Sequence, residues 1–327
     1  MSLTIEVYPR VHMGLISMHE GGPRRNGGLG FSIAAPSALL KFEPADDFSL
    51  IDNRKVPMGE PERRAVLARL RLVSGRFPFR SSVSITIEGD MPTHFGMGSG
   101  TAIRLACLEG AFLSEGLTYN SADVVMASGR GGTSGVGIST YFSGGFVFDL
   151  GIASEKAAGF HPSSRGNVMS LPLLLKQTNL PRWPLGICIP RACKPKSQAE
   201  EIEFFASSAP IDACSSYEAA YAAVFGVLTS VLEQDYEAFT SAINLMQGTK
   251  WKRLEAEQYG SGLERARSSL RRLGADCVGM SSLGPALYFF APGERLQEIN
   301  DLQAELDCEV LLTTPNNSGR KVVEHQC

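Results

Sequence analysis

The spacing of apolar residues along the chain changes between the two-residue repeat of strands and the 3.6-residue repeat of helices. Val83, Ile85 and Ile87 alternate with polar residues, which predicts a half-buried strand. Small and apolar residues of 101–114 then recur at helical spacing, which predicts a closely packed helix. The local order is therefore strand, glycine-rich loop and helix.

The same patterns predict mixed elements along the whole chain. Strands are expected at 4–8, 83–88, 145–150, 185–190, 286–290 and 309–312, and an edge strand or strand end at 31–40, which contains a proline. Helices are expected at 61–73, 101–114, 123–128, 198–206, 213–233, 236–246, 263–273 and 295–306. Prolines interrupt the pattern near 179–184, so we predict domains at 1–182 and 183–327. This organisation is α+β.

The composition of the chain excludes several classes of protein and binding partner. The 327 residues include 31 Lys and Arg against 34 Asp and Glu, and this balance gives no reason to expect nucleic acid. The longest uncharged candidate, 219–232, is too short to span a membrane. The N-terminus lacks a basic start followed by an apolar block, so no secretory signal is expected. Seven scattered cysteines without a C-x-x-C pair favour free thiols in a reducing cytoplasm.

The glycine-rich segment at 92–101 is the strongest candidate for an anion site. Glycine lets the backbone approach a phosphate closely, and the first turn of a helix leaves amide N–H groups unpaired. The segment lacks the G-K-[ST] end of a Walker A loop. A turn with a Ser or Thr helix cap is the alternative. The candidate phosphate-binding residues are Gly96, Gly98, Ser99, Gly100 and Thr101.

Three further glycine clusters supply candidate residues. The cluster at 129–137 begins with an arginine suited to bidentate phosphate or carboxylate binding, and a flexible surface loop is its alternative. The cluster at 279–285 precedes an apolar strand, and on its own sequence a hairpin turn is favoured. The cluster at 25–30 follows a histidine that is either catalytic or structural. The candidates are His12, Gly28, Gly30, Arg130, Gly131, Gly132, Thr133, Ser134, Ser281, Ser282 and Gly284.

One carboxylate follows an apolar strand. Asp149 ends the run 145–149, and a strand-end carboxylate is suited to Mg²⁺ or to a substrate hydroxyl. Capping a turn is the alternative. The five histidines lie too far apart for an H-x-x-x-H metal pair. Asp149 is therefore the candidate Mg²⁺ ligand.

Together these segments resemble the β-ribofuranosylaminobenzene 5′-phosphate synthase family of the GHMP small-molecule kinase superfamily. The resemblance rests on the strings GRGGTSGVGI at 129–138 and GMSSLGP at 279–285. Further matching segments, in the family's order, lie at 10–16, 27–30, 96–101, 144–149 and 315–317. The resemblance implies a GHMP kinase-like two-domain fold, with an N-terminal domain similar to domain 2 of ribosomal protein S5 and a ferredoxin-like C-terminal domain.

The resemblance also implies a reaction. Phosphoribosyl pyrophosphate condenses with 4-aminobenzoate or a related aryl acid, CO₂ and pyrophosphate leave, and the product enters tetrahydromethanopterin biosynthesis. The family suggests a homodimer. With this reaction in mind, the 96–101 segment is expected to bind the pyrophosphate, and His12 to contact the pyrophosphate or orient the arene.

The remaining candidates receive roles from the same reaction. We expect Arg130, with the hydroxyls of Thr133 and Ser134, to bind the 5′-phosphate or the aryl carboxylate. Asp149 is expected to bind Mg²⁺ or a ribose hydroxyl, and residues 281–282 to close the site from the second domain.

Two alternatives belong to other functional classes. The first is an ATP-dependent GHMP-type kinase that uses Mg²⁺ to phosphorylate a small alcohol, although residues 12–15 offer it no lysine. The second is a non-catalytic homologue that binds a phosphate ligand. Ser17, Ala102 and Ser143 stand where the family often carries other residues, which leaves this second alternative open.

Overall fold

The computed structural model describes residues 2–163 and 170–325, and within them the strands form three sheets. In chain order the strands are β1 (Ser2–Val7), β2 (Arg10–Ser17), β3 (Arg24–Ser32), β4 (Ala38–Ala45), β5 (Ser49–Asp52), β6 (Ser82–Gly89), β7 (Phe146–Asp149), β8 (Ile152–Ala153), β9 (Leu174–Thr178), β10 (Leu185–Pro190), β11 (Cys277–Met280), β12 (Leu287–Phe290), β13 (Cys308–Thr313) and β14 (Lys321–His325).

The helices pack on these sheets, and across the described ranges none is both long and apolar enough to cross a membrane. In chain order they are α1 (Glu60–Ser74), α2 (Ser99–Ser114), α3 (Ser121–Ser128), α4 (Val136–Ser143), α5 (Gln198–Ser208), α6 (Ala213–Tyr221), α7 (Thr229–Glu233), α8 (Tyr236–Gln247), α9 (Lys250–Glu257), α10 (Gly260–Arg272) and α11 (Gly293–Asp301). A π-helical segment, Ala222–Leu228, joins α6 to α7, and a 3₁₀ turn occupies Ser154–Lys156.

The first sheet has the strand order β14-β1-β4-β6-β5. Along its strands, buried apolar residues such as Ile5, Leu40 and Ile85 alternate with more exposed residues. The buried ones form the inner face, as expected for a sheet whose other face is solvated. Helices α1, α2 and α3 cover that inner face. Strand β14 pairs with β1, so the end of the predicted second domain returns to the sheet of the first.

The other two sheets share a core. One has the order β2-β3-β7-β9, with β8 beside β3, and the other has the order β11-β12-β10-β13. The Phe31 ring of β3 meets the Tyr288 and Phe290 rings of β12 edge-on, with ring centres 6.0 and 5.9 Å apart. Side chains from both sides of the predicted boundary at residue 182 therefore pack in one cluster. The division into 1–182 and 183–327 stays a prediction.

The predicted α+β organisation is confirmed, and most predicted elements lie within a few residues of observed ones. Strands β2, β3, β5, β8, β9, β11 and β14 and helices α4 and α9 were not predicted. Glycines at 27, 28 and 30 conceal the strand pattern of β3, and the glycine-rich segment 129–137 conceals the start of α4.

Candidate active site

A cleft lies where the two predicted parts of the chain meet. Its walls come from β2, the start of α2, the segment 130–138, the start of α5 and the loop between β11 and β12, which we call the late loop (281–286). Eleven predicted site residues line it: His12, Gly96, Gly98, Ser99, Gly100, Thr101, Arg130, Gly131, Thr133, Ser134 and Ser282. Six others do not line it: Gly28, Gly30, Gly132, Asp149, Ser281 and Gly284.

Two guanidinium groups converge on this cleft without an acidic partner. Among the described residues, no carboxylate lies within 4.0 Å of either Arg10 or Arg130, and the buried Nε atom of each lacks a hydrogen-bond partner. Arg10 Nη1 donates to the Gly96 carbonyl at 2.5 Å, and Arg130 Nη1 to the Ser163 carbonyl at 3.0 Å. Burial lowers the pKa of each guanidinium to about 10. The charges of Glu201, Glu255 and Glu62 act on these cations without direct contact. Buried cations that lack a direct ion pair favour an anionic ligand.

Helix α2 adds partial positive charge to the same cleft. Its N-cap is Gly98, and no side chain caps the first turn, which excludes the predicted alternative of a Ser or Thr cap. The hydroxyls of Ser99 and Thr101 line the cleft and have no hydrogen-bond partner among the described residues. An uncapped N-terminus beside two arginines is suited to phosphate oxygens.

The glycines of the 92–101 segment make room for other parts of the protein. Gly96 has φ +80°, and a Cβ there would lie 2.2 Å from the Ser281 carbonyl oxygen. A Cβ at Gly100 would lie 2.9 Å from Arg130 Nη2. Glycine at these positions therefore lets the late loop and the Arg130 guanidinium approach the start of α2.

The late loop is a hairpin turn that also fixes the histidine strand. Strands β11 and β12 pair directly, as the hairpin alternative predicted. Ser281 Oγ accepts a hydrogen bond from the His12 amide at 3.0 Å, and the Ser282 amide donates to the His12 carbonyl at 2.9 Å. Ser281 is fully buried, so only Ser282 of this predicted pair reaches the cleft.

A hydrogen-bonded chain runs inward from the cleft through His12, Ser134 and Asp149. Ser134 Oγ donates to Asp149 Oδ2 at 2.8 Å and accepts from the Val136 amide at 3.2 Å. His12 Nε2, 3.2 Å from the same Oγ, must therefore be the protonated nitrogen, because the hydroxyl has no second proton to give. Burial, aided by the charges of Arg10 and Lys252, holds the pKa of His12 well below 6.5. The imidazole is neutral, and its Nδ1 is an acceptor.

Asp149 is enclosed behind the cleft. Besides Ser134, the amides of Gly135 and Gly151 donate to its carboxylate at 3.0 and 2.9 Å. Burial raises its pKa to about 6, and these hydrogen bonds oppose the rise. Asp149 is fully buried, so its contact is with Ser134, and the predicted bond to Mg²⁺ or to a ribose hydroxyl has no open path from the cleft.

Gly28 and Gly30 serve the histidine, because they lie opposite it on the neighbouring strand. A Cβ at Gly28 would lie 2.8 Å from His12 Nε2, and one at Gly30 would lie 2.1 Å from the Val11 carbonyl oxygen. Both glycines therefore make room for the histidine strand, and their role in phosphate binding stays a prediction.

A metal ion has few candidate ligands here. No group of three or more His, Cys, Asp or Glu side chains in the described parts of the chain is arranged to hold one. Of the carboxylates that line the cleft, Glu62 accepts a 3.0 Å hydrogen bond from His94, and this pairing raises the pKa of His94. Mg²⁺ in proteins is often held by one or two carboxylates together with substrate phosphates. The cleft fits that kind of binding, with Glu62 and Glu201 as the nearby carboxylates.

A buried ion pair at the floor of the cleft was not predicted. Lys252 Nζ donates to Glu255 Oε2 at 2.5 Å and to the carbonyl oxygens of Met280 and Ser282 at 2.8 and 3.3 Å. Both side chains are almost fully buried, and Glu255 lines the cleft. The pair lies at i, i+3 on α9, a helix that the apolar pattern did not indicate.

Comparison with known proteins shows similarity along nearly the whole chain. A protein of Methanothermobacter thermautotrophicus named beta-ribofuranosylphenol 5′-phosphate synthase is 28% identical over 290 residues, which cover 88% of this chain and 88% of the relative. A protein of the same name from Archaeoglobus fulgidus is 28% identical over 327 residues, covering 98% and 99%. No model of a protein family matches the sequence.

Solved structures with the same architecture are more distant in sequence. Homoserine kinase from Cytophaga hutchinsonii superimposes with a TM-score of 0.68 at 16% identity, covering 98% of this chain and 97% of the kinase. Mevalonate pyrophosphate decarboxylase from Streptococcus pyogenes gives 0.63 at 13% identity, covering 97% of each chain. The GHMP kinase-like fold that the motifs predicted is confirmed. In sequence the chain is a relative of the beta-ribofuranosylphenol 5′-phosphate synthases, and in fold it is GHMP kinase-like.

Proposed function

We propose that the protein condenses phosphoribosyl pyrophosphate with a para-substituted benzoate, releasing CO₂ and pyrophosphate and leaving a carbon-linked aryl riboside 5′-phosphate. The predicted aryl acid is 4-aminobenzoate. The relatives are named for a ribofuranosylphenol phosphate, so 4-hydroxybenzoate is the second candidate. The product would serve tetrahydromethanopterin biosynthesis, as the sequence resemblance implies.

One observation carries this proposal. Arg10 and Arg130 face the cleft with no direct ion pair to any described carboxylate. They lie beside the uncapped start of α2, and this arrangement favours a ligand with several phosphate oxygens. Other lining residues, Leu15, Phe205 and Leu283, are apolar, which suits an aromatic ring. A single cleft therefore offers both kinds of surface that the two substrates require.

The reaction balances without a covalent enzyme intermediate. The bond between C1 of the ribose and the pyrophosphate oxygen breaks, and the pyrophosphate leaves with the electron pair. The ring carbon that carries the carboxylate forms the new bond to C1, so the ring becomes positively charged. The bond to the carboxylate carbon then breaks, CO₂ leaves, and its electron pair restores the aromatic ring.

The protein contributes position and charge to these steps. Arg10, Arg130 and the start of α2 would bind the phosphates and stabilise the negative charge that gathers on the leaving pyrophosphate. The hydroxyl protons of Thr133 and Ser134 are already donated to the His161 carbonyl and to Asp149, so their contact with substrate would be as acceptors. Neutral His12 would accept a hydrogen bond at Nδ1, for example from a ribose hydroxyl.

The proposed reaction uses Mg²⁺, and the diphosphate of the substrate would supply most of its ligands. When bound, it supplies positive charge at the leaving group. Glu62 and Glu201 are the carboxylates of the cleft that would hold it, and Asp149 would act only through Ser134 and His12.

The decisive test is release of labelled CO₂. Carboxyl-labelled 4-aminobenzoate and 4-hydroxybenzoate are each incubated with the protein, Mg²⁺ and phosphoribosyl pyrophosphate. We expect labelled CO₂ from at least one acid, dependent on both protein and phosphoribosyl pyrophosphate. Absence of release with both acids would overturn the proposal. ADP formation from ATP with a small alcohol would instead indicate a kinase. Such a kinase would need a base or a lysine near the alcohol, and among the described residues no Lys or Asp lines the cleft.

The proposal also includes a cellular compartment and an oligomeric state. Six cysteines in the described residues are free, five of them buried, which agrees with a reducing cytoplasm. The homodimer rests on the sequence resemblance alone, and the molar mass in solution tests it.

A further inference from the structure

The apolar lining of the cleft is separated from the first arginine along β2. Arg10 begins this strand and Leu15 lies five residues further on, so the strand rise places them roughly 15 Å apart. Leu15, Phe205 and Leu283 all line the cleft and belong to one buried cluster with Trp251. An aromatic ring among these side chains would leave its carboxylate free to face the phosphate-binding end.

Glu255 brings a carboxylate next to Trp251 of this apolar cluster, and its charge also acts on Arg10. Its side chain lines the cleft although only 3% of the residue is exposed. Trp251 Nε1 donates to Oε1 at 2.9 Å, and Lys252 Nζ donates to Oε2 at 2.5 Å. Each carboxylate oxygen accepts up to two hydrogen bonds, so each retains room for a donor from a ligand. Trp251 and Lys252 thus hold the group in place without using its full capacity.

The chemistry of the reaction requires an acceptor at one particular ring position. Attack by the carbon that carries the carboxylate spreads positive charge to the para heteroatom, whether this is a hydroxyl oxygen or an amino nitrogen. A carboxylate beside that heteroatom accepts its N–H or O–H and stabilises the charge that develops there. The para position lies directly across the ring from the carboxylate, so a ring oriented with its carboxylate toward the phosphates points its para group at the opposite end of the site.

We propose that Glu255 is the specificity-determining residue for the para hydroxyl or amino group of the aryl acid. This inference rests on the proposed function. The ring packs among Leu15, Phe205 and Leu283, and the para group donates a hydrogen bond to Glu255. Benzoates without a para donor leave the remaining acceptor positions of this desolvated carboxylate unfilled and bind less tightly.

The ion pair also connects this recognition to the late loop. Lys252 Nζ, bound to Glu255, donates to the carbonyl of Met280, the last residue of β11, and to that of Ser282 in the late loop. The adjoining residue, Leu283, forms part of the apolar lining. The acceptor and the ring contact are therefore held by one buried ammonium group, and displacement of Glu255 disturbs both.

The test compares two carboxylates on the same helix. Glu255→Gln keeps the shape but removes the charge, and Glu257→Gln makes the same change at an exposed position of α9. Calorimetry measures binding of 4-hydroxybenzoate and benzoate to the full chain in the presence of pyrophosphate. We expect the unmodified protein and Glu257→Gln to prefer 4-hydroxybenzoate by at least tenfold. In Glu255→Gln the preference is expected to fall below threefold.

A third ligand keeps the inference testable if Glu255→Gln fails to fold. 4-Methoxybenzoate retains the para oxygen but has no proton to donate, so the unmodified protein is expected to bind it no better than benzoate. Equal binding of 4-hydroxybenzoate and 4-methoxybenzoate, or an unchanged preference in Glu255→Gln, would overturn the role of Glu255.

The CO₂ assay separates this inference from the proposed function. CO₂ release by the unmodified protein, with unchanged preference in Glu255→Gln, contradicts the inference alone. Absence of CO₂ release, with a preference that depends on Glu255, contradicts the reaction and retains the aryl site. Glu201→Gln provides a rival variant, because Glu201 also lines the cleft. Loss of the preference in Glu201→Gln but not in Glu255→Gln would assign the contact to α5.

Discussion

The Ser281 hydroxyl donates a 2.8 Å hydrogen bond to the Gly96 carbonyl oxygen, and this contact joins two glycine-rich loops 185 residues apart in sequence. Gly96 also accepts from Arg10 Nη1 at 2.5 Å. The turn that precedes α2 is therefore held from the late loop on one side and from β2 on the other. The position of the candidate phosphate site depends on contacts between distant parts of the chain.

Replacement of Gly96 by alanine tests this arrangement. Gly96 and Gly116 both have positive φ, +80° and +62°, so alanine pays a similar backbone cost of about 1–2 kcal/mol at either position. At Gly116 a Cβ meets no atom within 4 Å, whereas at Gly96 it would lie 2.2 Å from the Ser281 carbonyl oxygen. We expect Gly96→Ala to lower the free energy of unfolding by about 1–3 kcal/mol more than Gly116→Ala, as measured by urea denaturation. Equal losses of unfolding free energy in the two variants would show that the late loop moves away from the new Cβ without destabilising the protein.

Replacement of Arg130 by glutamine separates binding from stability. The Arg130 guanidinium has no carboxylate within 4.0 Å among the described residues, so its burial is unfavourable until an anion binds. We expect Arg130→Gln to weaken binding of phosphoribosyl pyrophosphate at least tenfold in calorimetry, with an unchanged or higher Tm.

The control for this prediction is an arginine outside the cleft. Arg63 lies on the exposed face of α1 and pairs with Glu60, so Arg63→Gln should leave the affinity unchanged. An Arg130→Gln protein that binds as tightly as the unmodified one would remove this residue from the phosphate site.

The sequence predicts those parts of the site that depend on local pattern. Strand β6, the 92–101 segment and α2 follow one another along the chain, so apolar spacing and glycine content suffice to find them. The clusters that contain Arg130 and Ser282 were found in the same way. Their position in one cleft followed from the family resemblance.

The parts that were missed depend on contacts across the fold. Arg10 lies on the strand with His12, but only the structure shows that it lacks an acidic partner. Glu255 reaches the cleft because α9 packs beneath β2. The number of glycines in a segment does not reveal which side chain occupies the space beside each glycine. Gly28 makes room for His12, whereas Gly100 makes room for Arg130.

The buried carboxyl of Asp149 predicts a particular dependence of stability on pH. Burial raises its pKa from 3.8 to about 6, so the folded protein holds a proton that the unfolded chain releases in this range. This group's contribution to stability is therefore complete below pH 3.8 and is lost as the pH rises to 6, by about 3 kcal/mol in total. Asp149→Asn cannot release this proton. Urea denaturation between pH 4 and 7 should show the unmodified protein losing about 3 kcal/mol relative to the variant, and parallel curves would contradict the raised pKa.

An ion pair joins Arg320, the residue before the C-terminal strand, to the buried Glu109 of helix α2. Arg320 Nη2 and Nε donate to Glu109 Oε1 and Oε2 at 2.5 and 2.7 Å, and Glu109 is fully buried in α2. Arg320→Met would leave this carboxylate without its cation, with only the Tyr119 and Tyr141 hydroxyls as donors. Removing one partner of a buried pair costs about 3–5 kcal/mol, so we expect a clearly lower Tm.

The neighbouring lysine provides the matched control. Lys321 is exposed on β14 and has no carboxylate within 4.0 Å among the described residues, so Lys321→Met should leave the Tm nearly unchanged. Because α2 carries both Glu109 and the candidate phosphate site, Arg320→Met should also weaken binding of phosphoribosyl pyrophosphate near its melting transition but not well below it. A variant with unchanged Tm would show that the tyrosine hydroxyls alone compensate the buried carboxylate.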